Sequence, residues 1–169
     1  MKEIPLTQGK TVLVDDEDFE YLNQWKWFYC KSRKTGYAKR ASGKRPNKRQ
    51  ISMHRMIMQP NPGMEVDHID HNGLNNQRCN LRNCTPTDNK RNGFKHRNNT
   101  SGYIGVTWEM RRQKWSANIQ ANNKNIFLGR FDMAKDAACA YDAAAQKYYG
   151  DFAYTNSKTS HRAKDLRLI

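Results

Sequence analysis

The chain has 169 residues, a net charge of +14 and 37% hydrophobic residues, and its mean hydropathy is −1.04. This length allows one ordinary domain or two small ones. No apolar run approaches the roughly 20 residues of a membrane-spanning helix, and no apolar signal core follows the first ten residues. We therefore expect a cytoplasmic protein with no membrane partner. The four cysteines have irregular spacings, which excludes a disulfide framework and a zinc ribbon.

The positive charge is concentrated in two segments. Residues 31–60 contain ten Lys and Arg and no Asp or Glu, and residues 93–130 have a net charge of +6. Residues 61–92, in between, have no net charge. A polyanion is the natural partner of this distribution, because each phosphate that is neutralised releases counterions. We expect binding to nucleic acid, and the alternative is a solvated basic surface.

The first third of the chain alternates strand patterns with turn signals. Strands are predicted at Thr11–Val14, Trp25–Cys30 and Gly36–Ser42, and a short acidic helix at Asp15–Gln24. The segment Gly43–Arg49 is predicted to be a basic loop that could follow a nucleic-acid backbone. Its candidate contacts are Lys44, Arg45, Lys48 and Arg49.

The middle third predicts a compact succession of short elements. These are a helical turn at His54–Met58, a strand at Met64–His68, a loop at Ile69–Gln77, a strand at Asn80–Cys84 and a helix that ends near Asn92. The helix begins with a favourable pattern, since Thr85 can cap it, Pro86 suits its first position and Asp88 follows the cap by three residues. The strand and helix could therefore bring their polar residues face to face.

The last third predicts a small sheet packed on one helix. After a linker at 93–101, strands are expected at Tyr103–Trp108, Lys114–Ala121 and Asn125–Phe131, with a tight hairpin at Asn122–Asn123. The middle strand alternates apolar with hydrogen-bonding residues, so one sheet face is apolar and the other polar. A helix over Met133–Tyr149, capped by Asp132 and stopped by Gly150, would cover the apolar face. We expect an α+β protein with domains at 1–92 and 102–156 and a polar tail at 157–169.

The stretch Val66–Asn76, VDHIDHNGLNN, concentrates possible ligands and bases. A calcium loop that started at Asp67 would need glycine at its sixth position and glutamate at its twelfth, but these are Asn72 and Arg78. The possible zinc ligands in and near this stretch have none of the spacings that zinc sites usually show. The residues that zinc would have to use are His68, His71, Cys79 and Cys84.

A nuclease site fits the cluster better. Phosphodiester hydrolysis needs a base that activates water and a divalent cation that stabilises negative charge. A histidine suits the base, and an Asp carboxylate with an Asn amide oxygen suits a hard cation such as Mg²⁺.

The run from His54 to Asn92, HRMIM…EVDHIDHNGLNNQRCNLRNCTPTDNKRN, resembles the HNH homing endonucleases of the ββα-metal class, particularly those of phages. The resemblance implies that Asp67 and Asn89 are ligands of Mg²⁺ or Mn²⁺ and that His68 is the general base. It also implies that Asn80 braces the loop and orients His68. Asn89 stands where the family name has its last histidine, which favours an oxygen ligand there.

The run from Tyr103 to Asn156, YIGV…KWSANI…LGRFD…DAACAYDAAA…YGDFAYTN, resembles the APETALA-like (ethylene-response-factor) DNA-binding domain. The resemblance implies a sheet that lies in the major groove with the helix behind it. The matching contact candidates are Thr107, Trp108, Arg111, Arg112, Lys114, Asn118, Gln120, Lys124 and Arg130. Several arginines of the plant pattern are replaced, so the plant target sequence does not carry over.

Together the two resemblances imply a DNA endonuclease, a homing enzyme of a phage or mobile element that acts on double-stranded DNA. One active site per chain makes a nick the simplest product, and a double-strand break would need a dimer on DNA or a second event. One alternative is a sequence-specific DNA-binding regulator with an inactive nuclease domain. Another is a structure-specific or RNA-directed nuclease.

Overall fold

The computed structural model describes residues 1–32, 35–44, 46–47, 49–93 and 99–157. It divides into two compact units, residues 1–89 and 90–169. Two of the predicted DNA contacts, Arg45 and Lys48, lie outside the described residues, as do most of the predicted linker and of the polar tail. Within the described ranges, no helix has the length and apolar character needed to cross a membrane.

Short strands dominate unit 1. Its elements, in chain order, are β1 (Lys2–Pro5), β2 (Thr11–Val14), α1 (Asp16–Leu22), β3 (Phe28–Lys31), β4 (Gly36–Ser42), β5 (Arg49–Ser52), α2 (Met53–Met58), β6 (Glu65–His68), β7 (Leu81–Cys84) and the start of α3 (Pro86–Arg91). In the described part of the unit, three antiparallel sheets form: β1 with β2, β3 with β4 and β5, and β6 with β7. The α+β expectation is therefore confirmed.

One hydrophobic core joins these small sheets. Val12 and Val14 of β2, Leu22 of α1, Met53 of α2 and Leu81 of β7 all contribute buried side chains to it. Each fully buried aliphatic side chain contributes about 1.5–3 kcal/mol. Since every sheet here is too small to be stable alone, the shared core is what holds them in register.

The loop between β6 and β7 is attached to two other parts of unit 1. Leu13 of β2 donates its N–H to the carbonyl of Leu74 at 2.8 Å and accepts from the N–H of Asn76 at 2.8 Å. On another side, the N–H of Gly73 donates to Oγ1 of Thr35 at 3.0 Å. A Cβ on Gly73 would lie only 2.3 Å from the carbonyl oxygen of Gly36, so the loop and the start of β4 pack backbone to backbone.

The sequence predictions for unit 1 succeed where the local pattern is strong. β2 and β4 have the predicted bounds, whereas β3 begins three residues later than predicted. β1 and β5 were not predicted. β1 has four residues and ends at a proline, and β5 begins with the last residue of the predicted basic loop, so neither has a clear strand pattern.

Unit 2 is a three-stranded antiparallel sheet with a helix across one face. Its elements are β8 (Val106–Glu109), β9 (Lys114–Ala121), β10 (Lys124–Phe131) and α4 (Ala134–Tyr149), and β9 is the central strand. Ile119 of β9 packs against Tyr141 and Ala145 of α4. The predicted sheet on one helix is thus confirmed.

Two turn predictions for unit 2 are confirmed and one helix cap is wrong. Asn122 and Asn123 have φ of 52° and 59°, as a type I′ hairpin requires, and Gly150 ends α4 at φ 54°. Asp132 does not cap α4. The N-cap position is occupied by Met133, without a side-chain cap, and Asp132 instead forms an ion pair with Lys114.

We predict that Gly105→Ala strongly destabilises unit 2. Gly105 has φ +73°, and an added Cβ would lie 2.0 Å from the ring of Tyr141 and 2.7 Å from the carbonyl oxygen of Asn118. Left-handed backbone costs about 1–2 kcal/mol for a non-glycine residue, and overpacking adds about 1–3 kcal/mol. Hydrogen exchange of the β9 amides should accelerate accordingly.

Gly102→Ala is the matched control for this substitution. Gly102 has φ +78° but open space around its Cβ position, so only the backbone cost applies. Equal acceleration of β9 exchange in the two variants would contradict the close packing of Gly105 against Tyr141.

Candidate active site and nucleic-acid interface

His68 is the last residue of β6, and its buried side chain is held by the loop that follows it. Its Nε2 lies 2.9 Å from Oδ1 of Asn76. An amide oxygen only accepts hydrogen bonds, so with this orientation of Asn76 the Nε2 of His68 carries the hydrogen. The basic lone pair of the neutral imidazole is then on Nδ1.

Asn76 is itself fixed by burial and by its backbone. Its side chain is fully buried, at 0% exposure, and its N–H is bonded to Leu13 of β2. Its Nδ2 has no hydrogen-bond partner among the residues that the structure describes. A buried, unsatisfied donor costs about 1–3 kcal/mol, so this asparagine is retained at some cost to stability. The sequence predicts only that Asn76 lies in the loop Ile69–Gln77, as loop architecture or as a possible DNA contact, whereas the structure makes it the partner of His68.

Two rings enclose His68. The ring centroids of His54 and Tyr37 lie 5.1 Å and 5.8 Å from that of His68, and 5.6 Å from each other. Burial lowers the pKa of His68, although its hydrogen bond to Asn76 opposes this effect. Burial, reinforced by the positive charges of neighbouring residues, lowers the pKa of His54 to about 3. Both imidazoles are therefore neutral at physiological pH, the form in which a histidine can accept a proton.

Asn80 connects the two ends of the loop. Its Oδ1 accepts from the N–H of Asp70 at 3.0 Å, and its Nδ2 donates to Oδ1 of Asp70 and to the carbonyl of Asn75, at 2.9 Å and 2.8 Å. The side chain thus fastens the loop that carries Asn76. Asn80 therefore acts on His68 indirectly, by holding the loop whose Asn76 is bonded to His68.

Asp67 precedes His68 and points to the opposite side of β6, because successive side chains on a strand alternate. It is buried, and Arg82, its direct partner on β7, donates from Nε and Nη2 to its Oδ2 at 2.9 Å and 2.7 Å. The paired guanidinium offsets the cost of burying the carboxylate.

Asn89 approaches the Asp67 side of β6 from helix α3. Its Nδ2 donates to Oε2 of Glu65 at 2.5 Å, and Glu65 lies two residues before Asp67, on the same strand face. The predicted cap of α3 is confirmed, since Oγ1 of Thr85 accepts from the N–H of Asp88 at 3.1 Å. Capping fixes the start of the short helix and therefore the position of Asn89.

Two carboxylates and one amide oxygen suit a hard divalent cation better than zinc. Glu65, Asp67 and Asn89 are the residues here whose oxygens could hold Mg²⁺ or Mn²⁺, although Asn89 turns its Nδ2 toward Glu65. Glu65 is a member of this set that the sequence analysis missed, although its spacing of two from Asp67 on a strand was a usable signal.

The zinc alternative finds no support in the described residues. His68, His71, Cys79 and Cys84 do not form a group whose ligand atoms lie close together. Within the described ranges, the one group of three that does is Asp15, Glu17 and Asp18.

These acidic side chains hold the end of the loop between β6 and β7. Asp18 accepts two hydrogen bonds from the guanidinium of Arg78, at 2.8 Å and 2.7 Å, and Asp15 accepts from the N–H of Arg78 at 2.7 Å. Nε2 of Gln77 also donates to Asp15 at 3.2 Å. The acidic cluster therefore has a structural explanation.

The strand register of unit 2 separates its sheet into two faces. Residues paired with Ala117 and Ile119 share the side covered by α4, and those paired with Ser116, Asn118 and Gln120 share the other side. We call this other side the open face. It comprises Thr107, Glu109, Lys114, Ser116, Asn118, Gln120, Asn125, Phe127 and Arg130.

Several predicted DNA contacts meet on the open face. Asn118 and Gln120 supply amides at its centre, and Arg130 lies over the ring of Phe127 at 4.6 Å while its Nε donates to Glu109 at 2.8 Å. Phe127 is 50% exposed, a large apolar surface beside polar groups. The face therefore combines amides, cations and an exposed ring.

The other predicted contacts lie elsewhere. Trp108 pairs with Trp115, and their rings are 5.0 Å apart, so the register places Trp108 on the α4 side. Arg111 and Arg112 are exposed in the turn between β8 and β9, and Lys124 is exposed at the start of β10. Of the predicted contacts in unit 1, Lys44 and Arg49 are among the described residues, and both are exposed.

Comparison with known proteins supports both halves of this picture. Residues 101–151 match the AP2 domain family, which implies binding to DNA. The chain is 33% identical over 91 residues to Protein 3.8 of Escherichia phage T7, an alignment that covers 54% of this chain and 74% of the phage protein.

Two further relatives are a plant protein and a viral protein. The chain is 41% identical over 73 residues to APETALA2-like protein 2 of Oryza sativa subsp. indica, covering 43% of this chain but only 17% of the plant protein. A protein of Acanthamoeba polyphaga mimivirus, named as an uncharacterized HNH endonuclease, is 28% identical over 156 residues, 88% of this chain and 76% of its own length.

We predict that the stability of unit 1 falls in mild acid, in part because of His54. The pKa of His54 is about 3 when folded, against about 6.5 for an unperturbed histidine, so between these values the unfolded chain binds more protons. The free energy of unfolding therefore decreases as the pH falls through this window. For this one group, the loss between about pH 6.5 and pH 4.5 is about 2 kcal/mol.

The measurement is urea unfolding of the wild type and of His54→Gln at both pH values. The substitution removes the titrating group, so the variant should lose about 2 kcal/mol less than the wild type across this window. Parallel pH dependences would show that His54 is not held neutral by burial.

Proposed function

The chain belongs to the family of Protein 3.8 of Escherichia phage T7, and on this premise we propose that it is a DNA endonuclease of the HNH type. Unit 1 would hydrolyse the phosphodiester bond, and unit 2 would supply affinity and part of the choice of site. The observation that carries the proposal is the buried, neutral His68, which is bonded to Asn76 and is preceded on β6 by the carboxylates of Glu65 and Asp67.

His68 would act as the general base. A water molecule gives a proton to Nδ1 of His68, its oxygen forms a new bond to phosphorus, and the bond from phosphorus to the departing sugar oxygen breaks. Solvent supplies the proton to that oxygen, and His68 returns its own proton to solvent. The hydrogen bond from Nε2 to Asn76 favours this tautomer and stabilises the imidazolium that forms.

Asp67 and Asn89 would hold the divalent cation, with Glu65 beside them. When bound, Mg²⁺ or Mn²⁺ supplies positive charge that stabilises the phosphoryl oxygens. Arg82 orients the carboxylate of Asp67 through its two hydrogen bonds, and Asn80 keeps the intervening loop closed.

Unit 2 would bind double-stranded DNA through its open face. The amides of Asn118 and Gln120 have the donor and acceptor pair that reads the edge of adenine in the major groove. Lys114 and Arg130 carry the charges suited to phosphates. Both are ion-paired in the chain, with Asp132 and Glu109, so DNA would exchange these partners for phosphate.

A second candidate is a DNA-binding regulator whose nuclease unit is inactive. The observation in its favour is that Asp67 and Asn89 already have partners within the chain, Arg82 and Glu65. The cleavage assay below separates the two candidates. If the chain is an endonuclease, we also propose a role in homing and a dimer on DNA that cuts both strands. Both of these proposals rest on the resemblance to phage HNH enzymes.

We predict that the purified chain nicks supercoiled plasmid when Mg²⁺ or Mn²⁺ is present at low salt. His68→Ala should reduce the rate at least about a hundredfold, because general-base catalysis contributes typically 10²–10⁴-fold. DNA binding by this variant, measured by gel shift, should be nearly unchanged. If the wild type shifts DNA but yields no nicked or linear product, the regulator is the better description.

We also predict that Lys114→Gln combined with Arg130→Gln weakens DNA binding and lowers its salt dependence. Each lost phosphate contact reduces the slope of log affinity against log salt by about 0.9. The charge-matched control is Lys135→Gln combined with Lys147→Gln, two exposed residues of α4. If both double variants change the slope equally, the open face is not the DNA-binding surface.

A further inference from the structure

Lys39 is a cation beside the candidate active site that no motif singles out. It follows Tyr37 by two residues on β4, so both side chains leave the same side of the sheet, and Tyr37 packs against the rings of His54 and His68. Lys39 is also paired directly with Ser52, the residue that precedes α2, and His54 is the second residue of that helix. The strand register therefore brings Lys39 to the edge of the ring cluster around His68.

An electrostatic effect supports this placement. Burial is the main cause of the lowered pKa of His54, followed by repulsion from His68 when that ring is protonated and by the charges of Arg55 and Lys39. The ammonium group of Lys39 is thus close enough to act on a residue that touches the general base.

The charge of Lys39 has no carboxylate partner within the described part of the chain. Its Nζ contacts Oε1 of Gln50 at 3.5 Å, which is a long hydrogen bond to a neutral group. By contrast, Arg78 and Arg82, also near the site, are each paired with a carboxylate. The segment 31–60 contains no Asp or Glu at all, so Lys39 has no acidic neighbour in its own sheet.

We propose that Lys39 binds a phosphate of the DNA backbone next to the bond that is cleaved, and so positions the scissile phosphate against His68. The inference rests on the proposed nuclease function and adds to it a substrate-binding residue. A lysine ammonium group suits this task, because it is a compact charge on a flexible stem that can reach a phosphate oxygen. Positioning of this kind acts on the cleavage step, since the geometry of attack is fixed only when the phosphate is held.

The same sheet provides a matched control. Lys31 is the last residue of β3 and is exposed. It pairs with Gly36, three residues from Lys39, so its side chain leaves the opposite side of the sheet. Lys31→Ala removes the same charge from the same sheet without changing the side that faces His68.

The test compares the full-length wild type with Lys39→Ala, Lys39→Arg and Lys31→Ala. With Mg²⁺ and saturating DNA, Lys39→Ala should nick plasmid at least about tenfold more slowly, Lys39→Arg should recover most of the rate, and Lys31→Ala should match the wild type. Without divalent cation, Lys39→Ala should lower the slope of log affinity against log salt by about 0.9, and Lys31→Ala should not.

Two results would overturn the proposal. If Lys39→Ala and Lys31→Ala have the same rate and the same salt slope, Lys39 is a solvated charge. If the slope falls but the cleavage rate does not, Lys39 contacts DNA away from the cut. If the wild type does not cut at all, the nuclease function fails, and the salt slopes still decide whether Lys39 binds a phosphate.

Discussion

The hydrogen bond between His68 and Asn76, at 2.9 Å, is the contact on which the geometry of the candidate site depends. His68 ends a strand and Asn76 lies eight residues later in an irregular loop, so local structure alone cannot hold them together. The hairpin β1–β2 provides the missing support, because the backbone of Leu13 is bonded to both Leu74 and Asn76. Thr35, just before β4, and Asp15, the N-cap residue of α1, attach two further points of the same loop. Three separate parts of the unit thus hold the loop that positions the side-chain amide of Asn76.

This support explains how the fold prepares an imidazole for proton transfer. The rings of Tyr37 and His54 exclude water from one side of His68, which lowers its pKa, and Asn76 fixes the nitrogen that carries the hydrogen. Because side chains alternate along a strand, Asp67 lies on the other face of β6 from His68. The capped helix α3 brings Asn89 to Glu65 on that face. Asp67 and His68, the proposed cation ligand and base, are therefore adjacent residues of β6 with different partners, Arg82 and Asn76.

The sequence predicts most of the elements and the motif residues, because these have local signals. The cap at Thr85, the hairpin at Asn122–Asn123 and the stop at Gly150 each follow from the chemistry of one or two residues. The cap at Asp132 fails because a more distant residue, Lys114, takes its carboxylate. Here the side chain of Asp132 forms a tertiary ion pair instead of the N-cap hydrogen bond that Asp locally prefers.

The residues that the sequence did not single out all act through tertiary contacts. Asn76 matters because β2 holds its backbone, Glu65 because α3 brings Asn89 to it, and Lys39 because the register of β4 sets it beside His54. These contacts join residues that are distant along the chain, so only the tertiary structure shows them. The strand β1, which pairs with β2, was itself not predicted.

The protonation state of His68 is the decisive property of the candidate site. Nitrogen NMR of the labelled imidazole at neutral pH distinguishes the imidazolium from the two neutral tautomers. We expect a neutral ring with its hydrogen on Nε2, and a change of that signal in Asn76→Ala. An imidazolium, or a neutral ring with its hydrogen on Nδ1, would rule out a general base that Asn76 holds ready for proton transfer.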